Sequence, residues 1–365
     1  METSADTFFP PHCPNPRCRY HKPGKNLAPI IRKGHYFRQQ MPQRIPRFHC
    51  KHCSVNFSAQ TFSTSYWQKR GDLAGKIFLL CVGAMGNRQM ARALGVSKST
   101  IAHQITRLAR HCLLFHTRMT EGSKTRGPIA FDGFETFELS QYFPFHHNLA
   151  VETETGFFLF HTDSPLRRKG RMTPEQKRRR EELEEKLGRP DPKAVEKGVI
   201  HLLGTVLGKT SSETLLSDQH PAYRRALRRM GRTVDHQVTH SRKHRGRNNP
   251  LFEVNLLDLM LRHSTAAHRR ETIAFCKRRQ ASAEKLTIFQ VWRNCIKRRW
   301  ENGPPVSSAM LKGLLGRLLE VGDILEQRLF RHHFSLPEVW DRYYERRVET
   351  PALGRNRPHE LSYAY

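Results

Sequence analysis

The chain has 365 residues, of which 63 are lysine or arginine and 33 are aspartate or glutamate, so its net charge is +30. This excess predicts a polyanionic partner, because each neutralised phosphate releases counterions and adds affinity. No apolar run approaches the roughly 18 residues of a membrane-spanning helix, the first residues lack a secretory pattern, and eight cysteines are too few for a disulfide scaffold. We therefore expect a reducing, cytoplasmic setting without membrane contact.

Two pairs of cysteines stand near the start of the chain, namely Cys13, Cys18, Cys50 and Cys53. Pairs on two turns about thirty residues apart supply the four thiolates of a tetrahedral structural zinc site. We therefore expect a zinc ribbon over residues 10–60, with folding coupled to zinc binding. Flanking histidines offer substitutes for one cysteine: His12, His21, His49 and His52. The alternative is that the two pairs occur together by chance.

Residues 70–118 carry the pattern of a helix-turn-helix. Ala91 is small where two helices cross, Gly95 suits a left-handed turn, and Ile101 is an apolar residue that packs back on the first helix. Ser97 is a good N-cap for the second helix, whose first turns would meet base edges. The candidate DNA-binding residues on it are Lys98, Ser99, Thr100, His103, Gln104 and Arg107, with Arg110 as a further phosphate contact. The alternative is an ordinary helical hairpin.

From residue 126 the pattern changes from helical to strand-like. Residues 129–138 alternate apolar and polar side chains and include Asp132, and two further short strands follow at 149–152 and 156–161. A charged, helical insert is expected over 165–210. The apolar residues from 214 onward predict a short buried strand that ends in Asp218, and a helix is expected to begin near Pro221.

A helix that begins near Glu253 would place Asn255, Asp258 and Arg262 on one face, at positions i, i+3 and i+7. Carboxylates from separate elements that converge can hold two Mg²⁺ ions, which activate a water or a 3′-hydroxyl and stabilise the leaving oxygen of a phosphodiester. The third ligand beside Asp132 and Asp218 is then Asp258 or Asn255, with Glu253 as a further alternative. Arg262 and the basic loop 240–247 would steady the phosphate. Against this, acids at strand ends are common.

These residues together resemble the DDE-type transposases of bacterial insertion sequences that carry an N-terminal zinc ribbon. The resemblance spans about residues 10–300 and is carried by the four cysteines, by 131–135, by 216–220, and by 255–258 with Arg262. It implies an RNase H-like catalytic domain that uses Mg²⁺ for strand cleavage and transfer. It also implies homo-oligomers that bind terminal inverted repeats and target DNA in the bacterial nucleoid. The departure is that neither position 255 nor position 258 is a glutamate.

The expected architecture is an α+β multidomain protein. It comprises the zinc ribbon (10–60), the helix-turn-helix domain (70–118), an RNase H-like mixed β-sheet flanked by helices (126–300), and a C-terminal helical extension (301–365). Long helices are expected over 271–300 and 310–330. Two alternatives to a transposase are a zinc-ribbon and helix-turn-helix DNA-binding regulator without catalysis, which includes an inactive transposase derivative, and a nuclease without strand transfer.

Overall fold

The structure, a computed structural model, describes residues 8–22, 28–39, 41–125, 127–208, 214–240, 242–326 and 328–358. Parts of the expectations above lie outside these residues, namely positions 23–27 and 40 of the zinc ribbon, position 126, positions 209–210 of the insert, Ser241 of the basic loop, position 327 of the helix expected over 310–330, and positions 359–365. Within the described ranges, every helix is too short or too polar to cross a membrane.

The N-terminal unit is a small antiparallel sheet of three strands, β1 (Ile30–Phe37), β2 (Arg44–Cys50) and β3 (Asn56–Ser58), in that order. The buried cluster among its described residues contains three cysteines and three other apolar side chains, Ile30, Phe48 and Phe57. So small a core rarely supports a fold by itself, so this unit needs a further source of stability such as a metal ion.

Three helices follow, α1 (Leu73–Val82), α2 (Asn87–Ala93) and α3 (Lys98–Met119). The turn between α2 and α3 has the local geometry expected from the sequence. Gly95 has a φ of +62°, a conformation that favours glycine. The Ser97 hydroxyl accepts a hydrogen bond from the Thr100 backbone N–H at 3.1 Å and so caps α3.

The centre of the molecule is a mixed five-stranded sheet in the order β6-β5-β4-β7-β8. Its strands are β4 (Ile129–Phe137), β5 (Pro144–Glu152), β6 (Phe157–Pro165), β7 (Thr214–Ser217) and β8 (Asp235–Val238). The first three pair antiparallel, whereas β7 and β8 run parallel to β4. Because β5 is buried along nearly its whole length, helices cover both faces of the sheet. The expectation of an α+β fold with a mixed sheet is confirmed.

Five helices follow the antiparallel strands. Helix α4 buries no side chain, as its Arg- and Glu-rich sequence predicts, whereas α5 packs an apolar side against the sheet. Helix α8 continues into a π-helical turn, Trp292–Ile296. The bounds of the five are α4 (Pro174–Leu187), α5 (Ala194–Leu207), α6 (Pro221–Met230), α7 (Phe252–Ser264) and α8 (Arg279–Val291).

The C-terminal region differs from the expectation. In place of a long helix over 310–330 there are two short ones, α9 (Ser308–Leu311) and α10 (Val321–Leu325), and α11 (Glu338–Tyr344) comes later. Gly313 ends the first with a φ of +77°, a conformation that interrupts a right-handed helix. The helix expected over 271–300 begins only at residue 279.

One buried core spans the three expected domains that follow the N-terminal unit. One continuous cluster of buried apolar side chains extends from Leu73 to Val348. Helix α3 crosses it: Thr106 donates to Glu284 of α8 at 3.0 Å, and Arg110 donates to the Tyr344 carbonyl at 2.7 Å. The 70–118 and 301–365 segments therefore share one core with the sheet.

Candidate active site and metal centre

The four N-terminal cysteines form one compact cluster. Their sulfur atoms all lie within 4.8 Å of one another, with Sγ–Sγ distances of 3.6 Å for Cys13–Cys53 and 3.9 Å for Cys18–Cys50. Tetrahedral zinc with Zn–S bonds of about 2.3 Å requires sulfur atoms about 3.8 Å apart. All four cysteines are free thiols. The cluster can therefore bind zinc through four cysteines, and no flanking histidine is needed as a substitute.

The sheet places Asp132 beside Asp218. Strands β4 and β7 are parallel neighbours in which Ile129 is opposite Leu215 and Ala130 is opposite Leu216. The same register carried two residues further sets Asp132 opposite Asp218, which directly follows β7. Two acids that are 86 positions apart in the chain thus lie near each other, one on β4 and one just after β7.

Asp132 is partly buried among polar partners. Its Oδ1 atom accepts hydrogen bonds from the Gly133 backbone N–H at 2.7 Å and from the Tyr223 hydroxyl at 3.2 Å. Burial, followed by the charge of Asp218, raises the pKa of Asp132 to about 6. Both causes disfavour the ionised form of the Asp132 carboxyl.

A glycine next to Asp132 makes room for a histidine. A Cβ atom on Gly133 would lie 2.5 Å from Nδ1 of His146 on β5, so no larger residue fits at 133 without a shift. The His146 ring is buried, its Nε2 lies 3.8 Å from a Glu135 carboxylate oxygen, and its charge would lower the pKa of Asp132. His146 is therefore a member of the site that the sequence pattern did not reveal.

Helix α7 brings the third acid to the pair. Burial, followed by the charge of Asp132, raises the pKa of Asp258 to about 8. Its Oδ1 atom is buried without a hydrogen-bond partner among the described residues. Asn255 lies one turn earlier on α7 and is partly buried; no hydrogen bond within the described chain joins its side chain to the acids.

Glu253 is not a member of this group. Its side chain is nine-tenths buried and forms an ion pair with Arg299, which is also buried. This pairing at the start of α7 uses the carboxylate elsewhere, so the alternative that Glu253 is the third ligand is wrong in this structure.

Arg262 occupies a different place from the phosphate contact that was expected. Its guanidinium lies 4.3 Å from the Phe134 ring centroid and donates to the carbonyls of His268 and Glu135 at 3.3 and 3.4 Å. These contacts join the C-terminal end of α7 to β4. Burial lowers the pKa of Arg262, and the charge of Asp258 opposes that change. The geometry favours a positioning role for Arg262.

A chain of hydrogen bonds fixes α7 against the sheet. The Thr265 hydroxyl donates to the Leu261 carbonyl at 2.5 Å, so His268 Nδ1 must donate to Thr265 Oγ1 at 2.9 Å. His268 Nε2 then accepts from the Ser282 hydroxyl at 2.8 Å, and Ser282 accepts from His147 Nε2 at 2.8 Å. Every proton in this chain has one direction, so both histidines are held as defined neutral tautomers.

Only part of the expected DNA-contacting set is accessible. Lys98, Ser99 and His103 are exposed and Thr100 is partly exposed. Gln104, however, is buried and donates to Gln68 at 3.0 Å.

Two of the α3 arginines, Arg107 and Arg110, bind backbone carbonyls of the fold. Arg107 donates to the Tyr66 carbonyl at 2.5 Å, and Arg110 is buried with its bond to Tyr344. Gln104 and Arg110 are therefore too buried for the DNA contacts expected of them, because α3 enters the core after its first two turns, whereas the expected Arg107 contact stays a prediction.

A basic loop lies beside the acids. Arg242, Lys243, His244, Arg245 and Arg247 are all exposed. The charge of Arg245 acts to lower the pKa of Asp258, which places this loop near the third acid. The site therefore combines partly buried carboxylates with accessible cations, an arrangement suited to a polyanion that is brought to a metal-binding group.

The ligand atoms of the three acids are more widely spaced than the sulfur atoms of the cysteine cluster. Within the described ranges they do not form a set whose oxygen atoms all lie within 4.8 Å of one another. Two divalent ions about 4 Å apart use ligands more widely spaced than a single ion does. Asp132, Asp218 and Asp258 together offer the carboxylate oxygens that hard divalent cations prefer.

Comparisons with known proteins add little. No family model and no curated protein match the sequence. Among solved structures, the chain is similar to one in the "CryoEM structure of simian T-cell lymphotropic virus intasome in complex with PP2A regulatory subunit B56 gamma". The identity is 13%, the match covers 65% of this chain and 71% of that chain, and the TM-score is 0.23. At that TM-score the likeness carries no argument for fold or function.

Proposed function

We propose that this protein is a DNA transposase that cleaves and transfers strands at the ends of a bacterial insertion sequence. The observation that carries the proposal is the meeting of Asp132, Asp218 and Asp258 from three separate elements. Burial and the charge of Asp218 raise the pKa of Asp132, and burial and the charge of Asp132 raise the pKa of Asp258, so a divalent cation would stabilise the ionised carboxylates.

The proposed catalytic ligands are Asp132, Asp218 and Asp258, with Asn255 as a neutral neighbour one turn away. Mg²⁺ fits this donor set because it prefers carboxylate oxygens, and a pair of Mg²⁺ ions would supply a polarised phosphate and an activated attacking oxygen. Oδ1 of Asp258, which is buried and without a partner in the described chain, is the atom that most needs such an ion.

The protein's own residues would prepare this site. The Tyr223 hydroxyl and the Gly133 N–H orient the Asp132 carboxylate from one side. The His220 N–H donates to Asp218 Oδ1 at 2.9 Å and orients the second acid. Arg262 and the Ser282 hydrogen-bond chain hold α7, and the exposed loop that contains Arg245 binds the phosphate backbone.

DNA binding is proposed for two further surfaces. The exposed start of α3, with Lys98, Ser99, Thr100 and His103, would read the terminal inverted repeats in the major groove. The N-terminal unit would add contacts from β1, where Arg32, Lys33 and His35 are exposed. Homo-oligomers that hold two ends and target DNA in the nucleoid complete the proposal.

The test uses purified full-length protein, Mg²⁺ or Mn²⁺, and DNA from both ends of the element that encodes it. Asp132→Asn and Asp218→Asn should each abolish cleavage and leave DNA binding largely intact. Asp235→Asn, a change at an exposed acid on β8, serves as the matched control and should cleave like the wild type.

The products distinguish the alternatives. Nicked and joined DNA supports a transposase, whereas nicking without joining supports a nuclease. A shifted band without any metal-dependent nicking supports a DNA-binding regulator. Loss of DNA binding in Asp132→Asn would mean that the acids are structural.

A further inference from the structure

A second group of metal-ligating side chains lies next to the cysteine cluster. His12 and His21 come from the N-terminal unit, and His333 comes from a 3₁₀ turn, Arg331–His333, more than 300 residues later. One ring nitrogen from each histidine lies within 4.8 Å of one from each of the others. The ring centroids are 4.6 to 5.5 Å apart.

The hydrogen bonds of these rings define which nitrogen is available. His12 Nδ1 and His21 Nδ1 both donate to the Cys13 carbonyl, at 3.1 and 2.9 Å, and His333 Nε2 donates to the His21 carbonyl at 2.9 Å. A neutral imidazole has one N–H, so the other nitrogen of each ring keeps its lone pair. An imidazole that donates to a backbone carbonyl while its second nitrogen faces a metal is the usual form of a histidine ligand.

One of these nitrogens is otherwise unexplained. His21 is 3% exposed, and its Nε2 atom is buried with no hydrogen-bond partner in the described chain. A buried polar nitrogen without a partner is costly unless something binds it. The apolar rings of Phe62 and Phe330, 5.1 and 4.8 Å from the His12 ring, enclose the group.

We propose that His12, His21 and His333 form a second transition-metal site, with Zn²⁺ as the preferred ion. Imidazole nitrogens suit zinc, and closing the group from 4.8 Å to tetrahedral spacing requires only small ring movements. Arg328 stacks on Phe330 at 4.6 Å, and the group contains no carboxylate. This charge balance favours water, hydroxide or another small anion at the fourth position.

The site would join two distant parts of the chain. His12 lies next to Cys13, whose carbonyl accepts from two of the histidines and whose sulfur belongs to the other cluster. His333 anchors the segment that precedes α11, and α11 lies in the main core. A metal ion here would fasten the N-terminal unit, which has little core of its own, to the body of the protein.

The test counts zinc in full-length protein that is expressed with zinc and then desalted, by elemental mass spectrometry. Wild type should hold two zinc ions per chain, and His333→Ala should hold one. His332→Ala changes the exposed neighbour that lies outside the group, and it should keep two. One ion in wild type, or two in His333→Ala, would overturn the proposal.

Cobalt exchange shows which site is lost. His333→Ala should retain the thiolate-to-cobalt charge-transfer absorption of the cysteine site while total cobalt falls from two ions to one. If His333→Ala does not fold, X-ray absorption of wild-type zinc provides the decision. A mixture of Zn–S at about 2.3 Å and Zn–N at about 2.0 Å is expected, and a shell of sulfur alone would contradict the second site.

Discussion

The hydroxyl of Tyr223 donates a hydrogen bond to Oδ1 of Asp132, across 91 positions of the chain. It joins the first turn of α6, which follows Asp218, to the acid on β4. The bond thus links the two halves of the carboxylate pair, and it also lowers the pKa of Asp132 against the effect of burial.

We expect Tyr223→Phe to reduce the single-turnover rate of metal-dependent cleavage by about 10- to 100-fold, because a hydrogen bond to a charged group contributes about 1.5–3 kcal/mol. The fold should be retained, since the phenyl ring keeps its packing on Phe131. Cleavage is measured against Mn²⁺ concentration. Tyr142→Phe, at a partly exposed tyrosine, is the control, and an unchanged rate in Tyr223→Phe would show that the hydroxyl does not orient Asp132.

Asp258→Asn should abolish cleavage and, without added divalent cations, raise the free energy of unfolding by roughly 1–2 kcal/mol. The reason is that burial, followed by the charge of Asp132, raises the pKa of Asp258, so folding near neutral pH must protonate this carboxyl, and an amide avoids that cost. Urea unfolding in EDTA measures this against wild type, with Asp235→Asn as the control. Full cleavage by Asp258→Asn would remove Asp258 from the proposed ligands and leave Asn255.

Glu253→Gln should lower the free energy of unfolding and leave cleavage nearly unchanged. Breaking its buried ion pair leaves Arg299 uncompensated and should cost about 3–5 kcal/mol of stability. Cleavage per folded molecule should stay near the wild-type level, which is measured at low temperature after the folded fraction is determined. Complete loss of cleavage in folded Glu253→Gln would make Glu253 a catalytic ligand after all.

Two substitutions on α3 distinguish a residue that contacts DNA from one that stabilises the fold. Lys98→Ala should weaken binding to the element's ends and reduce its salt dependence by about one counterion. Gln104→Ala should leave the affinity of the folded protein unchanged and lower its thermal stability, because Gln104 bonds inside the fold to Gln68. Electrophoretic mobility shifts at several salt concentrations, with thermal melts, check both. The reverse pattern would show that the recognition surface lies elsewhere.

The buried histidines predict loss of stability in mild acid. Burial lowers the pKa of His147 to about 3 and of His111 to about 4, and it lowers the pKa values of His161 and His268 well below the ordinary 6.5. The unfolded chain binds the extra protons first, so this stability is complete above pH 6.5 and is lost as the pH falls toward 3.

Well below pH 6.5, each such histidine should remove about 1.4 kcal/mol per pH unit. His147→Gln should therefore reduce the acid sensitivity of urea unfolding by about one proton relative to wild type. His103→Gln, at an exposed histidine, should not change it. Equal slopes for wild type and His147→Gln between pH 7.5 and 5.5 would contradict the neutral, proton-ordered chain through Ser282.

Local patterns were enough to predict most elements that carry the acids. Alternation predicted β4, the apolar run before Asp218 predicted β7, and helical spacing placed Asp258 on α7 within one residue of its observed start. These features depend on residues that are close in sequence, so the sequence pattern is enough to predict them. The spacing of the cysteines likewise predicted the cluster that the structure brings together.

Contacts between distant segments were beyond such patterns. Nothing near Glu253 signals its partner Arg299, and nothing in α3 signals that Gln104 meets Gln68. Tyr223 and His146 join the site only because the sheet order sets β5 and α6 on either side of β4. The leucines at 310–330 fit a helical period, but glycines and tertiary packing override it there.

Helix α3 has 22 residues, a length of about 33 Å, and most of it is embedded in the same core as the acids. A rod of that length is close to one turn of B-form DNA. If the exposed start of α3 contacts the recognised bases, this rigid helix fixes the distance between those bases and the bond that is cleaved. Element ends with an extra half turn of duplex in that interval would then bind and remain uncut.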